Sequence, residues 1–138
     1  MTPTTVDVIN PNNEKLPGFR FVSLTPWQRE GVFARPTVDV ELAQPGARGV
    51  IGVLGEALDP GRRGECIACG LALVEAIGPI ERGEPVALSR RPFFRGGCEA
   101  ARAGAESVAM SLEILPEGER GTIRVLVRAA FPVVGGER

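Results

Sequence analysis

The sequence predicts an all-β fold: a compact small β-barrel or sandwich of short antiparallel strands, with a duplicated hairpin, an extended N-terminal arm and at most one short helix. Three observations carry this expectation. Short apolar runs recur along the chain, separated by Gly, Pro or charged turns. Several runs alternate with period two, as in Val38-Asp39-Val40-Glu41-Leu42, which puts Val38, Val40 and Leu42 on one face. The chain also repeats itself. Residues 52–72 and 109–129 align without gaps and share Glu56/Glu113, Leu58/Leu115, Gly61/Gly118, Arg63/Arg120, Gly64/Gly121 and Ala72/Ala129, each pair 57 residues apart. Each copy is an apolar run, a glycine- and charge-rich turn and a second apolar run, which is the pattern of a β-hairpin.

Residues 1–17 differ in kind from the rest. Pro3, Pro11 and Pro17 forbid a continuous helix, and apolar residues are sparse, so the segment reads as an extended arm or a disordered tail. The alternation Val6-Asp7-Val8 suits one strand added to an open sheet edge, on this chain or on a neighbour. As an arm it would be dispensable for folding, and Val6, Val8, Ile9 and Leu16 are its candidate contact residues. Residues 18–138 then form one β domain, with repeat halves at about 18–75 and 80–130.

Within that domain Gly18-Phe19-Arg20-Phe21-Val22-Ser23-Leu24 reads as a strand and Pro26-Trp27-Gln28-Arg29-Glu30-Gly31 as a loop. Val32-Phe33-Ala34 and residues 38–42 read as strands, followed by a turn at residues 44–49 and the strand Val50-Ile51-Gly52-Val53-Leu54. Pro85-Val86-Ala87-Leu88 stands in the second half where Phe21-Val22-Ser23-Leu24 stands in the first, so the larger unit is strand, loop, hairpin. Cys98-Glu99-Ala100-Ala101-Arg102-Ala103 is the most helix-like stretch by propensity, cut short by Gly96, Gly97 and Gly104.

Composition excludes several classes. A chain of 138 residues fits one domain and buries roughly 68% of its unfolded surface, enough for a core without metals or disulfides. With 43% apolar residues and a net charge of −1 it is neither disordered nor built to grip nucleic acid. No apolar stretch is long enough to span a bilayer, and the first residues lack the pattern of a signal peptide, so the expectation is a soluble chain with no membrane partner. Cys66, Cys69 and Cys98 are odd in number and read as reduced packing residues.

Catalytic chemistry finds little footing. There is no histidine, which removes the usual base of nucleophilic triads. Cys66-Ile67-Ala68-Cys69 has the spacing of redox and zinc sites, yet it lies in an expected strand, where residues three apart face opposite ways. No glycine-rich phosphate loop is present, and Glu56, Asp59, Glu65, Glu113, Glu117 and Glu119 read as solvated turn charges. The expectation is therefore no enzyme, no cofactor and no metal. Trp27 in its loop, and Phe93-Phe94 between Arg90, Arg91, Pro92 and Arg95, suit either a contact patch or caps on the barrel ends.

The order of motifs resembles the head decoration, or capsid cement, proteins of tailed bacteriophages. The runs concerned are Gly18-Phe19-Arg20-Phe21-Val22-Ser23-Leu24, Gly49-Val50-Ile51-Gly52-Val53-Leu54, Gly64-Glu65-Cys66-Ile67-Ala68-Cys69-Gly70 and Ile80-Glu81-Arg82-Gly83-Glu84-Pro85-Val86, with a closing hairpin from Val108 to Val127. The resemblance covers about residues 18–128, and the arginine- and phenylalanine-rich stretch 89–98 departs from it. It implies a β domain on the outside of the virion head, carried through the host cytoplasm during assembly. The implied partners are the major capsid protein, held across neighbouring capsomers, and two further copies in a homotrimer. Trp27, Arg91, Phe93 and Phe94 are the candidate interaction residues outside the arm. The alternative class is a small β-barrel module that binds a carbohydrate or peptide on an aromatic loop.

Overall fold

One strand is far longer than the rest, and the fold is organised around it. The structure, a computed structural model, describes residues 4–28, 37–47 and 49–127. Strand β5 (Arg63–Ile77) runs for 15 residues, about 50 Å at the usual rise. Its side chains alternate: Cys66, Ala68, Ala72, Val74 and Ala76 point inward, while Glu65, Cys69, Leu71 and Leu73 point out. Its length serves two barrels in succession.

The first barrel comprises β1 (Thr4–Ile9), β2 (Phe21–Leu24), β3 (Val38–Leu42), β4 (Val50–Leu54) and the N-terminal half of β5. Its order is β1-β3-β2-β4-β5, closed by β5 pairing back to β1. The second comprises the C-terminal half of β5, β6 (Pro85–Leu88), β7 (Cys98–Ala100), β8 (Ala109–Ser111) and β9 (Arg120–Val127). Its order is β5-β7-β6-β8-β9, closed by β9 pairing back to β5. Among the described residues the only parallel pairings are β1 with β3 and β5 with β7. Pairing for pairing, the two barrels have the same topology, and the C-terminal half of β5 does for the second what β1 does for the first. The repeated hairpins occupy equivalent places: Leu58 bridges to Leu16, and Leu115 bridges to Ile80.

Register fixes which side chains meet. β1 runs antiparallel to β5 with Val6 opposite Cys66 and Val8 opposite Gly64, and beside β3 with Val8 opposite Val38. β5 and β9 pair without a break from Gly70↔Val127 to Ile77↔Arg120. Val8, Leu16, Val22, Val40, Leu54, Leu58 and Cys66 fill the first barrel. A larger cluster fills the second and includes Val74, Val86, Cys98, Ile123 and Val125, but also Phe21 and Val53. These two are opposite one another on β2 and β4, and they belong to the outer face of the first barrel, pressed against the second. That explains why Phe21-Val22 and Val53-Leu54 are buried on both faces and lack strict alternation.

Gly52 marks the tightest point of this arrangement. A Cβ there would lie 2.3 Å from the Ile67 carbonyl oxygen, so only glycine lets β4 approach β5 this closely. Asn10, fully buried at the end of β1, is satisfied by donating from Nδ2 to the carbonyls of Glu14 and Leu58 at 2.8 and 2.9 Å.

Two expectations are corrected. The N-terminal segment is extended, but residues 4–9 are a wall of the first barrel rather than a free arm, because β1 supplies the pairing that closes it. The stretch from residue 98 that helix propensity favoured is strand β7 at Cys98–Ala100, since ladder pairing to β6 and β5 satisfies the backbone that an isolated turn of helix would leave open. The short helical element is instead a 3-10 turn at Pro92–Phe94. The expected strand at residues 32–34 and the repeat half beyond residue 127 lie outside the described residues.

Candidate functional site

The β6–β7 connection, residues 89–97, turns a basic, aromatic corner outward. The corner begins with Pro92, whose fixed φ favours the first position of the 3-10 turn. Of its two consecutive phenylalanines, Phe94 is fully buried and Phe93 is 69% exposed. Phe94 is the anchor. The guanidinium carbons of Arg20 and Arg120 lie 4.6 and 4.4 Å from its ring centroid, a cation–π arrangement worth more where the cation is desolvated. Arg20 is itself buried: its Nε donates to Glu75 Oε1 at 2.7 Å and its Nη1 to the Arg95 carbonyl at 2.8 Å. Glu75 also faces Arg120 at 3.9 Å. One carboxylate thus holds two arginines over one ring, joining the chain just before β2 to the C-terminal end of β5, the start of β9 and the corner.

Gly97 completes the seat, because a Cβ there would sit 2.3 Å from Phe94 Cε2. With Phe94 pinned, Phe93 projects. Arg90 and Arg91, just before it in the chain, are exposed, as is Arg102, and Arg91 and Arg102 share a shallow cleft of about 270 Å³ with Glu99 and Pro79. Arg95 faces the other way, toward Asn12, Lys15 and Gln44. One oxygen of Glu99 accepts the Arg90 backbone N–H at 3.0 Å.

The β2–β3 connection is the topological equivalent of this corner in the first barrel, and it too presents an aromatic ring. Trp27 is 83% exposed. The loop's foot is tied by Gln28, whose side-chain amide donates to the Asp39 carbonyl and accepts the Asp39 N–H, both at 2.8 Å. Rings this open are not walls of a concave pocket.

A third surface was not anticipated. Leu71, Leu126 and Met110 are successive partners across β5, β9 and β8, forming an apolar row on the outer face, with Leu71 60% exposed. The signal in the sequence was β5 itself, whose residues 69–74 are apolar on both faces, unlike the half-solvated strands around it.

Of the arm's candidates, Val8, Ile9 and Leu16 are buried in the core and Val6 packs against it, so none is presented to a partner. Arg91 and Phe93 are exposed, Phe94 is not, and Trp27 stands apart on the other barrel's loop. The thiols are free; Cys66 is buried, Cys69 exposed and Cys98 buried. Burial pushes the Cys66 thiol up to about 11 and the Cys98 thiol up to about 12, the latter aided by Glu99. Both therefore stay protonated and unreactive at neutral pH. Glu113 is held below the usual carboxylate range because it accepts the Arg124 backbone N–H at 2.6 Å. Among the described residues no cluster of three or more metal-ligating side chains is present.

No protein-family model and no curated protein matches the chain. Among solved structures, the fold is similar to that in the crystal structure of the head fiber gp8.5 N base of bacteriophage phi29, with a TM-score of 0.61 at 11% identity, covering 93% of this chain and 96% of that one. The likeness is one of fold, and it extends over essentially the whole of both chains.

Proposed function

We propose that the chain is a structural protein of a phage virion that decorates and stabilises the outside of the head by binding the major capsid protein across neighbouring capsomers. The observation that carries this reading is the end-to-end likeness of the two-barrel fold to the base of a phage head fiber. Surface chemistry supports it. The exposed rings are held out on braced loops at Trp27 and Phe93, which suits protein contact, where aromatic and arginine side chains supply most of the binding energy. The buried thiols and hydrogen-bonded carboxylates suit a scaffold without catalysis.

Self-association, as a homotrimer on the head, belongs to the same proposal. The outward row Leu71, Leu126 and Met110 supports it, since an apolar strip on a barrel wall is stabilised when another wall covers it. Many copies, each bridging two shell subunits, make a modest affinity per site effective, because separating the subunits requires breaking every bridge.

Quantitative mass spectrometry of purified virions tests the reading. A copy number comparable to that of the major shell protein is the expected result. Absence from the particles, or a handful of copies, overturns decoration of the head.

A further inference from the structure

We infer that the corner formed by Arg90, Arg91, Phe93 and Arg102 is the docking surface of this chain, and that it takes an acidic protein surface with an apolar socket for the Phe93 ring. The inference rests on the reading above only for where that acidic surface is found.

Charge is the first argument. The chain carries a net charge of −1, yet between Leu88 and Gly104 there are four arginines against one glutamate. That glutamate, Glu99, is partly committed to the Arg90 backbone N–H at 3.0 Å. The other well-placed arginines of the molecule have carboxylate partners: Arg20 and Arg120 on Glu75, and Arg124 on Glu113. At the corner Arg91 and Arg102 instead border an open cleft, and Arg90 and Arg102 border the next one. An acidic partner would supply the missing carboxylates, and guanidinium groups bind these bidentately.

Rigidity is the second. A projecting phenylalanine in a loose loop loses much of its binding energy to ordering. Here Phe94, seated under Arg20 and Arg120 and against Gly97, fixes the backbone of its neighbour. Phe93, 69% exposed, is therefore held ready with most of its ring surface open to a partner. Shape is the third argument, and it favours protein over nucleic acid. The arginines border two short clefts, each also lined by Glu99, beside a protruding ring, not one continuous basic groove that would track a phosphate backbone.

Backbone and arginine side-chain NMR of the intact chain provides the test, with a peptide of alternating glutamate and leucine and a short DNA duplex as probes. The peptide is expected to shift the resonances of Arg90, Arg91, Phe93 and Arg102, with an effect that weakens as salt is raised. No shift at these residues overturns the inference, as does tighter binding of the duplex at the same corner. A second measurement uses phage heads stripped of this chain. Phe93→Ala and Arg91→Glu/Arg102→Glu are each expected to weaken co-sedimentation by about tenfold or more. Arg62→Glu, at the first hairpin turn, is expected to leave it unchanged. All these side chains are exposed, so unchanged melting curves confirm that the variants remain folded. Corner variants that bind heads like the parent overturn the inference and leave the capsid reading standing. Failure of the parent chain itself to bind heads overturns the capsid reading, and the peptide titration then decides the docking surface alone.

Discussion

The two barrels share a topology and a strand but close in different ways. The first is closed by β1, a strand of that barrel alone, held by pairing to β3 and β5. The second is closed by the far half of β5, a strand already fixed by the first barrel. Their equivalent loops also differ: Trp27 rides on a loop tied by Gln28–Asp39 hydrogen bonds, whereas Phe93 rides on a buried ring under two arginines. A polar tie leaves the loop's own atoms solvated, while an apolar anchor links the corner's geometry to the integrity of the core. The duplicated architecture therefore has one closure that depends on a strand of a single barrel and one that depends on a strand shared by both.

Breaking the closure made by β1 should have the largest effect. Val8 is fully buried between β3 and β5, and Val8→Asp places an unpaired carboxylate inside the first barrel, at a cost of about 3 kcal/mol or more. Removal of residues 1–16 should act in the same direction. Because β5 is common to both barrels, thermal unfolding by circular dichroism should remain a single transition at a much lower midpoint. A truncated chain that melts like the parent would mean that β1 does not carry the first barrel.

The second closure can be tested at its anchor. Phe94→Ala should cost about 3–5 kcal/mol in chemical denaturation, the usual range for a buried phenylalanine, while Phe93→Ala should stay within about 0.5 kcal/mol. Equal effects from the two would dissolve the distinction between anchor and projecting ring. Glu75→Ala leaves the buried Arg20 guanidinium without its carboxylate and should cost about 3 kcal/mol. Glu113→Ala, which removes an ion pair exposed on both sides, should leave the unfolding midpoint where it is.

The smallest effect sharpens the comparison of the two interiors, because each holds one buried thiol, Cys66 in the first and Cys98 in the second. An unfolded thiol loses its proton near 9.0, whereas these hold theirs to about 11 and about 12. Between those values the unfolded state binds fewer protons than the folded one, so stability is complete below pH 9.0 and falls as pH rises toward 12. Cys66→Ala and Cys98→Ala should each flatten part of that alkaline slope, Cys98→Ala over the wider range. Denaturation midpoints measured across the alkaline range check it, and slopes unchanged in both variants would refute the assignment.

Much of this could be read from local pattern. Period two in residues 38–42, the turns at Gly61 and Gly118, and the spacing of Leu58 and Leu115 are consequences of pleating and of turn chemistry, which a short window of sequence contains. The C-x-x-C pair falls on opposite faces of β5 for the same reason. The candidate site was half legible. Arginine and phenylalanine between residues 90 and 95 marked the segment as a contact patch or a barrel cap, but no local rule says which of two adjacent rings turns inward. That was decided by Arg20, Glu75 and Arg120, drawn from three separate parts of the chain. An arginine between Phe19 and Phe21 was the sign that a buried partner was waiting.

The sequence by itself determined that the chain is built of strands, that a hairpin recurs and that Cys66 and Cys69 share a strand, because propensity and periodicity act between near neighbours. Only the tertiary structure decided that one strand serves two barrels, that the N-terminal segment closes the first and that residues 98–100 extend rather than coil. Barrel closure is a pairing between segments far apart in sequence, and its energy comes from ladder bonds and shared burial that no single segment contains.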